Sequence, residues 1–128
     1  MTSRKPPKAW TGLPYVEELD LDLDAMDRPT VLFDGPAKDC VKKFPQNINI
    51  AAALSLAGIG FEKTRIRILA DPNVARNTHE IVSTGDAGKF TITLENVPDP
   101  DNPKTTFMAC YSVLAALKNL RAPYRVGT

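Results

Sequence analysis

Residues 78–94 carry the sequence THEIVSTGDAGKFTITL, which decides the fold. Thr78–Ser83 and Lys89–Leu94 are short runs rich in β-branched and aromatic residues. Between them, Asp86-Ala87-Gly88 has the composition of a tight turn. Two such runs joined by a glycine-containing turn are typical of a β-hairpin. We therefore predict two antiparallel strands here.

Two strands and a helix are predicted upstream of this hairpin. Arg65–Ala70 alternates between two sets of side chains, a period of two that predicts a strand. Val31-Leu32-Phe33 is a short apolar run that predicts a buried strand. A helix over Ala37–Lys43 follows, beginning near Pro36, because proline suits the first helical turn. Pro45 ends this helix, since the residue before a proline avoids helical geometry.

Asn47–Ala57 predicts a second helix with Asn47 as its N-cap. The segment is apolar nearly all round, so we expect it to be buried on most sides. Gly58 follows where a left-handed C-cap is favoured.

A last helix is predicted near the carboxyl end. It begins at Asn102-Pro103, ends before Pro123, and carries apolar residues three and four apart: Phe107, Cys110, Tyr111, Leu114 and Leu117. This spacing indicates an amphipathic helix that packs against a sheet. The elements together predict an α+β fold, with a mixed or antiparallel sheet covered by helices.

The first 30 residues show no clear helix. Pro6-Pro7 and the basic residues around them predict an extended, solvated arm. Leu19–Asp24 alternates leucine and aspartate, which fits either an edge strand or an acidic connecting segment. We therefore predict an arm and connecting segment over residues 1–30 and an α/β domain over residues 31–128.

Composition excludes several classes of protein. A length of 128 residues suits one domain with a real core, and a formal charge of +1 argues against a nucleic-acid partner. Cys40 and Cys110 are too few for a disulfide framework, which indicates reduced thiols. The longest apolar stretch, Ile48–Phe61, is too short and too interrupted by glycine to span a bilayer. We expect a cytoplasmic protein without a secretory signal.

His79, the only histidine, is the main candidate for chemistry. On a strand it shares a face with Ile81, which we expect to point into the core. Burial favours the neutral imidazole that a general base needs. The alternative is a hydrogen-bonded, inert histidine at the end of a strand.

Three further polar residues are candidates for binding, each with an ordinary alternative. Asn49 lies in an otherwise apolar helix and is either exposed at the first turn or directed at a ligand. Asn47 fits a plain helix cap. Lys104, at the start of the last helix, suits a carboxylate or is merely solvated. One histidine and two distant cysteines predict no metal site, and no glycine-rich phosphate loop is present.

Several strings taken together resemble one family. They are Arg4-Lys5-Pro6-Pro7, Phe33-Asp34-Gly35-Pro36-Ala37, Phe44-Pro45-Gln46-Asn47-Ile48-Asn49, Ala70-Asp71-Pro72, Asn77-Thr78-His79-Glu80-Ile81, Glu95-Asn96-Val97-Pro98 and Asn102-Pro103-Lys104-Thr105. This set is similar to the C-terminal domain of L-aspartate dehydrogenases. The match runs from about residue 4 to residue 120.

The resemblance implies that this chain corresponds to one of the two domains of an enzyme. In that family an N-terminal Rossmann domain joins a C-terminal α/β domain that forms much of the catalytic face and of a homodimer interface. The resemblance places the catalytic histidine on His79 and the nicotinamide-side asparagine on Asn49, and it gives Lys104 no firm role. It implies NAD or NADP as cofactor, L-aspartate and oxaloacetate as substrate and product, and a function in NAD biosynthesis.

The chain departs from the family pattern because the Rossmann half is absent. It is either a fragment of a longer product or a free-standing descendant. We expect this chain alone to bind NAD negligibly and not to turn over, because the pyrophosphate site belongs to the nucleotide-binding half. The competing class is a non-catalytic oligomerisation or ligand-binding domain. The sequence leaves open NAD against NADP and the exact amino-acid substrate.

Overall fold

The computed structural model describes residues 1–45, 48–97 and 106–124. Its elements in chain order are β1 (Thr2–Lys5), a 3₁₀ turn (Pro7–Trp10), α1 (Pro14–Glu17), β2 (Thr30–Pro36), α2 (Ala37–Lys43), α3 (Asn49–Ala57), β3 (Arg65–Ala70), β4 (Thr78–Gly85), β5 (Gly88–Glu95) and α4 (Phe107–Asn119). The chain forms two compact units, Met1–Glu95 and Asn96–Thr128.

The five strands form one sheet in the order β2-β3-β1-β4-β5. β1 runs parallel to β3, and the other neighbouring pairs are antiparallel. The sheet is therefore mixed, and the predicted α+β class is confirmed.

The predicted solvated arm is wrong at its start, because Thr2–Lys5 is the central strand of the sheet. The sequence pattern conceals this strand because its inward-facing residues are polar: Ser3 is 2% exposed and Lys5 is 7% exposed. Neighbours on both sides satisfy the backbone of the strand, which replaces the hydrophobic signal that normally marks a central strand. Residues 19–24 contain no strand, so the connecting-segment alternative is correct there.

The other predicted strands are confirmed. β2 and β3 lie where the apolar run and the alternating run place them, and α2 has the predicted bounds. In the hairpin, Gly85 pairs with Gly88 across a turn formed by Asp86 and Ala87. Gly88 has a φ of +127°, a conformation that L side chains rarely adopt, so the turn needs glycine at this position.

The second predicted helix differs from the observed one in its burial and its C-cap, and its predicted N-cap lies outside the described residues. α3 begins at Asn49 with Ile48 as its cap residue, and the predicted cap Asn47 lies outside the described residues. The helix is buried on one side only, at Ala51 and Ser55. The expectation of burial on most sides was wrong because the segment has many small apolar side chains, and such side chains also occur on an exposed helix surface. Gly58 is not left-handed, since its φ is −112°.

The core lies between the helices and one face of the sheet. Phe44 is at its centre, and the rings of Trp10, Tyr15 and Phe33 contact it edge-on, with centroids 5.7, 5.3 and 6.3 Å away. Such edge-to-face pairs add to the free energy gained by burial. The remaining buried members of this cluster are Val16, Leu32, Ala37, Cys40, Ile48, Ala51, Ile66, Ile68 and Ala70.

α4 belongs to the second unit and confirms a helix in the predicted region. It spans Phe107–Asn119 with Leu120 as its C-cap residue, so it ends two residues after Leu117, the last predicted apolar position, and before Pro123. The predicted start at residues 102–103 lies outside the described residues. Its packing against a sheet stays a prediction.

Candidate functional site

His79 lies on the face of the sheet that the helices cover. In the pairing register, His79 of β4 is opposite Ser3 of β1, and Ser3 is opposite Ile68 of β3. Residues directly opposite each other on neighbouring strands share a face. Ile68 belongs to the buried core cluster. His79 therefore points to the core side, where it is only 6% exposed, and the predicted desolvation is confirmed.

Burial sets the protonation of His79. Its pKa lies below the ordinary value of 6.5, first because burial disfavours the imidazolium and second because the positive charge of Lys5 is nearby. The ring is therefore neutral at neutral pH. Within the described part of the chain, the buried Nδ1 atom has no hydrogen-bond partner. A hydrogen bond at that atom would fix the tautomer of the ring.

Lys5 is the site residue that sequence reasoning missed. It lies on β1, the neighbour of the strand that carries His79, and burial lowers the pKa of its ammonium group. The ammonium nitrogen is 4.6 Å from the centroid of the Trp10 ring, a cation–π distance. The only signal in the sequence was a lysine directly before two prolines, a string that carried the family resemblance but no role.

The local sequence explains how Trp10 reaches Lys5. Pro6 and Pro7 fix their φ angles after β1 ends, and the chain then turns through Pro7–Trp10. The indole N–H of Trp10 donates to the carbonyl oxygen of Leu69, at 3.2 Å. The carbonyl of Lys5 accepts the N–H of Asp71 at 2.9 Å, which extends the pairing with β3. Both ends of the Lys5–Trp10 contact are therefore anchored to the same strand.

Asn49 lies on the same side of the sheet as His79. It is the first residue of α3, and its neighbours Ile48 and Ala51 enter the core together with Ile68. The other end of α3 lines a cavity of about 320 Å³ together with Ile81, which shares the face of His79. Asn49 itself is exposed, so its carboxamide can meet a ligand or a second domain.

The predicted set is brought together only in part. Lys5 lies close enough to His79 for its charge to lower the pKa of the imidazole. Asn49 lies on the same side of the sheet, without a hydrogen bond to His79 among the described residues. Asn47 and Lys104 lie outside the described residues, and their binding roles stay predictions.

The described cysteines and acidic residues form no competing site. The Cys40 thiol is fully buried, and burial raises its pKa to about 12, so it is protonated and inert. Cys40 and Cys110 are both free, as predicted. In residues 1–45, 48–97 and 106–124, no cluster of three or more acidic, cysteine or histidine side chains is placed to hold a metal ion. None of the described helices has the length and apolar character needed to cross a membrane.

The fold and this site define a class: an α+β domain whose mixed sheet carries a buried lysine and a neutral histidine on its helix-covered face. Residues 1–120 match the family described as aspartate dehydrogenase, C-terminal, and the chain belongs to that family. The sequence-based recognition is confirmed.

Relatives from several organisms support this assignment. The chain is 48% identical over its whole length to L-aspartate dehydrogenase of Methanosarcina barkeri, covering 47% of that protein. It is 46% identical to L-aspartate dehydrogenase 3 of Bordetella bronchiseptica, with the same coverage. A solved structure, aspartate dehydrogenase from Thermotoga maritima, superposes with a TM-score of 0.76 at 31% identity, covering 98% of this chain and 45% of that one. The chain thus spans about half the length of the relatives it matches.

Proposed function

We propose that this chain is the catalytic and dimerisation half of an NAD- or NADP-dependent L-aspartate dehydrogenase that serves NAD biosynthesis in the cytoplasm. The reaction converts L-aspartate, NAD(P)⁺ and water into oxaloacetate, ammonia and NAD(P)H. The observation that carries the proposal is the neutral, buried His79, on the helix-covered face of a chain about half identical to L-aspartate dehydrogenases.

The residues fit the cofactor and the reaction. When bound, the nicotinamide accepts a hydride from the α-carbon of the amino acid. The neutral imidazole of His79 accepts a proton from the substrate amine or from the attacking water. Among the described residues nothing hydrogen-bonds the Nδ1 atom, which supports its availability to a ligand. The exposed carboxamide of Asn49 offers both a donor and an acceptor to the nicotinamide side.

Positioning is the main contribution that such a domain makes to the rate. A rigid sheet that holds the base beside the reacting carbon converts a collision into a step within one complex. His79 meets this requirement because β1 and β5 flank its strand on both sides. The nucleotide-binding half would bring the cofactor to that position in cis or in trans.

The decisive test is a chimera. In this chimera the chain replaces the matching C-terminal part of the Methanosarcina barkeri enzyme. The formation of NADH or NADPH in the presence of L-aspartate is followed by the absorbance of the reduced nicotinamide. We expect turnover that requires L-aspartate. His79→Ala lowers kcat by roughly two orders of magnitude, the usual contribution of a general base.

Two controls keep this test decisive. Lys8→Met removes an exposed lysine close to the site in sequence and leaves the rate unchanged. Thermal unfolding of the chimera establishes that it is folded. A folded chimera without turnover, or a His79→Ala variant at full rate, contradicts the proposed function.

The second candidate, a non-catalytic oligomerisation domain, draws on two exposed apolar residues of β5. Phe90 and Ile92 of β5 share a face and remain 56% and 45% exposed. Exposed apolar residues side by side are typical of an interface. The same surface also supports the proposed homodimer, so turnover by the chimera separates the two candidates.

A further inference from the structure

Strand β5 lies at one edge of the sheet. Among the described strands it has a single neighbour, β4, which pairs with it along its whole length from Gly88 to Glu95. In an antiparallel ladder, every second residue directs its N–H and C=O groups away from a given neighbour. β5 therefore presents a row of backbone donors and acceptors on the side opposite β4, and such a row is a template for pairing with another strand.

The two edges of the sheet differ in their protection against such pairing. At the other edge, β2 has an irregular register between Val31 and Phe33 and ends in Pro36, which has no N–H to donate. Bulges and prolines are common means by which edge strands avoid pairing. β5 has eight residues in continuous register and contains no proline. It is therefore the edge that is suited to pairing.

Residues 89–95 of β5, KFTITLE, read similarly in both directions. A threonine lies on each side of Ile92, an apolar residue lies beyond each threonine, and residues of opposite charge lie at the two ends. Two copies of the strand paired antiparallel about Ile92 therefore place Phe90 opposite Leu94, and threonine opposite threonine. Apolar pairs and threonine pairs are cross-strand combinations that stabilise a sheet.

The charged ends favour this register over its neighbours. When the two copies of Ile92 are opposite each other, Lys89 of each copy is opposite Glu95 of the other. A dimer with twofold symmetry therefore has two such pairs. A shift by two residues removes both pairs, and a shift by one residue places apolar side chains opposite polar ones.

We propose that β5 is the surface on which a second copy of this chain binds, paired antiparallel about Ile92 so that the two sheets become one continuous sheet. Phe90 and Ile92, which are 56% and 45% exposed in the single chain, would then each lie beside an apolar residue of the second copy. The inference goes beyond the proposed function, because it gives the homodimer a surface and a register and rests on β5 instead of the site around His79.

The first test measures the mass of the 128-residue chain in solution. Sedimentation equilibrium over about 5–200 µM covers the weak association that one pair of edge strands provides, because the interface is small. We expect a reversible dimer with a Kd in the micromolar range. A chain that stays monomeric at about 200 µM, or that forms larger assemblies instead of dimers, overturns the proposal.

Charge reversal tests the register. Lys89→Glu places two acidic groups opposite each other at both ends of the pairing, and Glu95→Lys does the same with two basic groups. We expect each single variant to raise the Kd of the dimer by about 10-fold, since both cross-strand ion pairs become repulsive. The double variant restores opposite charges and the original Kd. A mixture of the two single variants restores them as well, and we expect it to form a heterodimer.

Two results of the charge-reversal experiment overturn the register. One is an equal Kd for the unmodified chain and both single variants. The other is a double variant that associates as weakly as the single variants do. Circular dichroism establishes that each variant is folded.

The largest effect is expected at the centre of the pairing. Ile92→Asp brings two carboxylates together at the twofold axis, and we expect this variant to be monomeric at about 200 µM. Leu56→Asp is the matched control, because Leu56 is an apolar residue of α3 that is 77% exposed and lies outside β5. We expect it to keep the Kd of the unmodified chain. Equal effects of the two substitutions overturn the proposal.

Failure of this inference and failure of the proposed function are distinguishable. Turnover by the chimera depends on the site around His79, whereas the Kd of the dimer depends on β5. A dimer with the expected charge-reversal pattern, together with a folded chimera that does not turn over, supports the interface and contradicts the dehydrogenase. A monomeric chain together with an active chimera overturns the interface alone.

Discussion

Two parts of one sheet face differ sharply in what they bury. On β3 this face carries Ile66, Ile68 and Ala70, each at most 1% exposed and packed under the helices. On β1 and β4 the same face carries Ser3, Lys5 and His79, which are nearly as buried. Burial of polar and charged groups costs free energy, because these groups lose their contacts with water. The first part of the face therefore contributes more to stability than the second part, where we propose the binding and catalytic site.

The largest effect on stability is expected on the apolar part of the face and the core packed against it. Phe44→Ala removes the fully buried ring that three other aromatic rings contact. We expect the free energy of unfolding to fall by about 3–5 kcal/mol, the range for Phe→Ala in a core. Urea unfolding followed by circular dichroism measures it. A loss below about 1 kcal/mol would show that Phe44 is not the centre of the core.

On the polar part of the face, a substitution is expected to raise the free energy of unfolding. Lys5→Met replaces a buried ammonium with an apolar side chain of similar length. We expect the free energy of unfolding to rise by about 1 kcal/mol, because the desolvation of the charge is removed and an apolar side chain still packs against Trp10. The same urea experiment applies. A marked decrease would mean that Lys5 stabilises the fold, which would remove the contrast between the two parts of the face.

The burial of His79 on the polar part of the face is expected to make the stability of the domain depend on pH. Its folded pKa is below 6.5, so below that pH the unfolded chain binds a proton that the folded chain does not. Stability is therefore full above pH 6.5 and falls as the pH drops below it, by at most about 1.4 kcal/mol per pH unit. His79→Gln removes this component. Unfolding curves between pH 7 and pH 5 with the same slope in both proteins would contradict it.

The smallest effect is expected at an exposed ion pair outside both parts of the face. Lys38 pairs with Glu62 across the surface, and both side chains are largely solvent-exposed. Exposed pairs of this kind contribute little, because water and salt screen them. We expect Lys38→Met to leave the unfolding midpoint unchanged within error. A clear shift of the unfolding midpoint would show that this surface ion pair contributes to stability alongside the core.

Cofactor binding by the chain alone is a separate expectation. We expect isothermal titration calorimetry with NAD to show no binding in the micromolar range, because the residues that hold a pyrophosphate belong to a glycine-rich loop that the sequence does not contain. Low-micromolar binding would show that this half holds the cofactor by itself.

Local patterns predicted most of the individual elements. The hairpin of β4 and β5, the strand β3 and the helix α2 follow from side-chain alternation, turn residues and proline positions, which act over a few residues. The orientation and burial of His79 followed from the same period-two rule. Local patterns failed where a segment has no local signal of its own: at Thr2–Lys5, and at α3, where small residues do not distinguish a buried side from an exposed one.

The sequence by itself therefore determined the hairpin, the α+β class, the family and the choice of His79, because each depends on residue type and short-range spacing. Only the tertiary structure decided that Thr2–Lys5 is the central strand and that Lys5 lies beside His79 against Trp10. The physical reason is that a strand with polar inward positions gains its stability from backbone pairing with distant strands. No periodicity within four residues reports such long-range pairing.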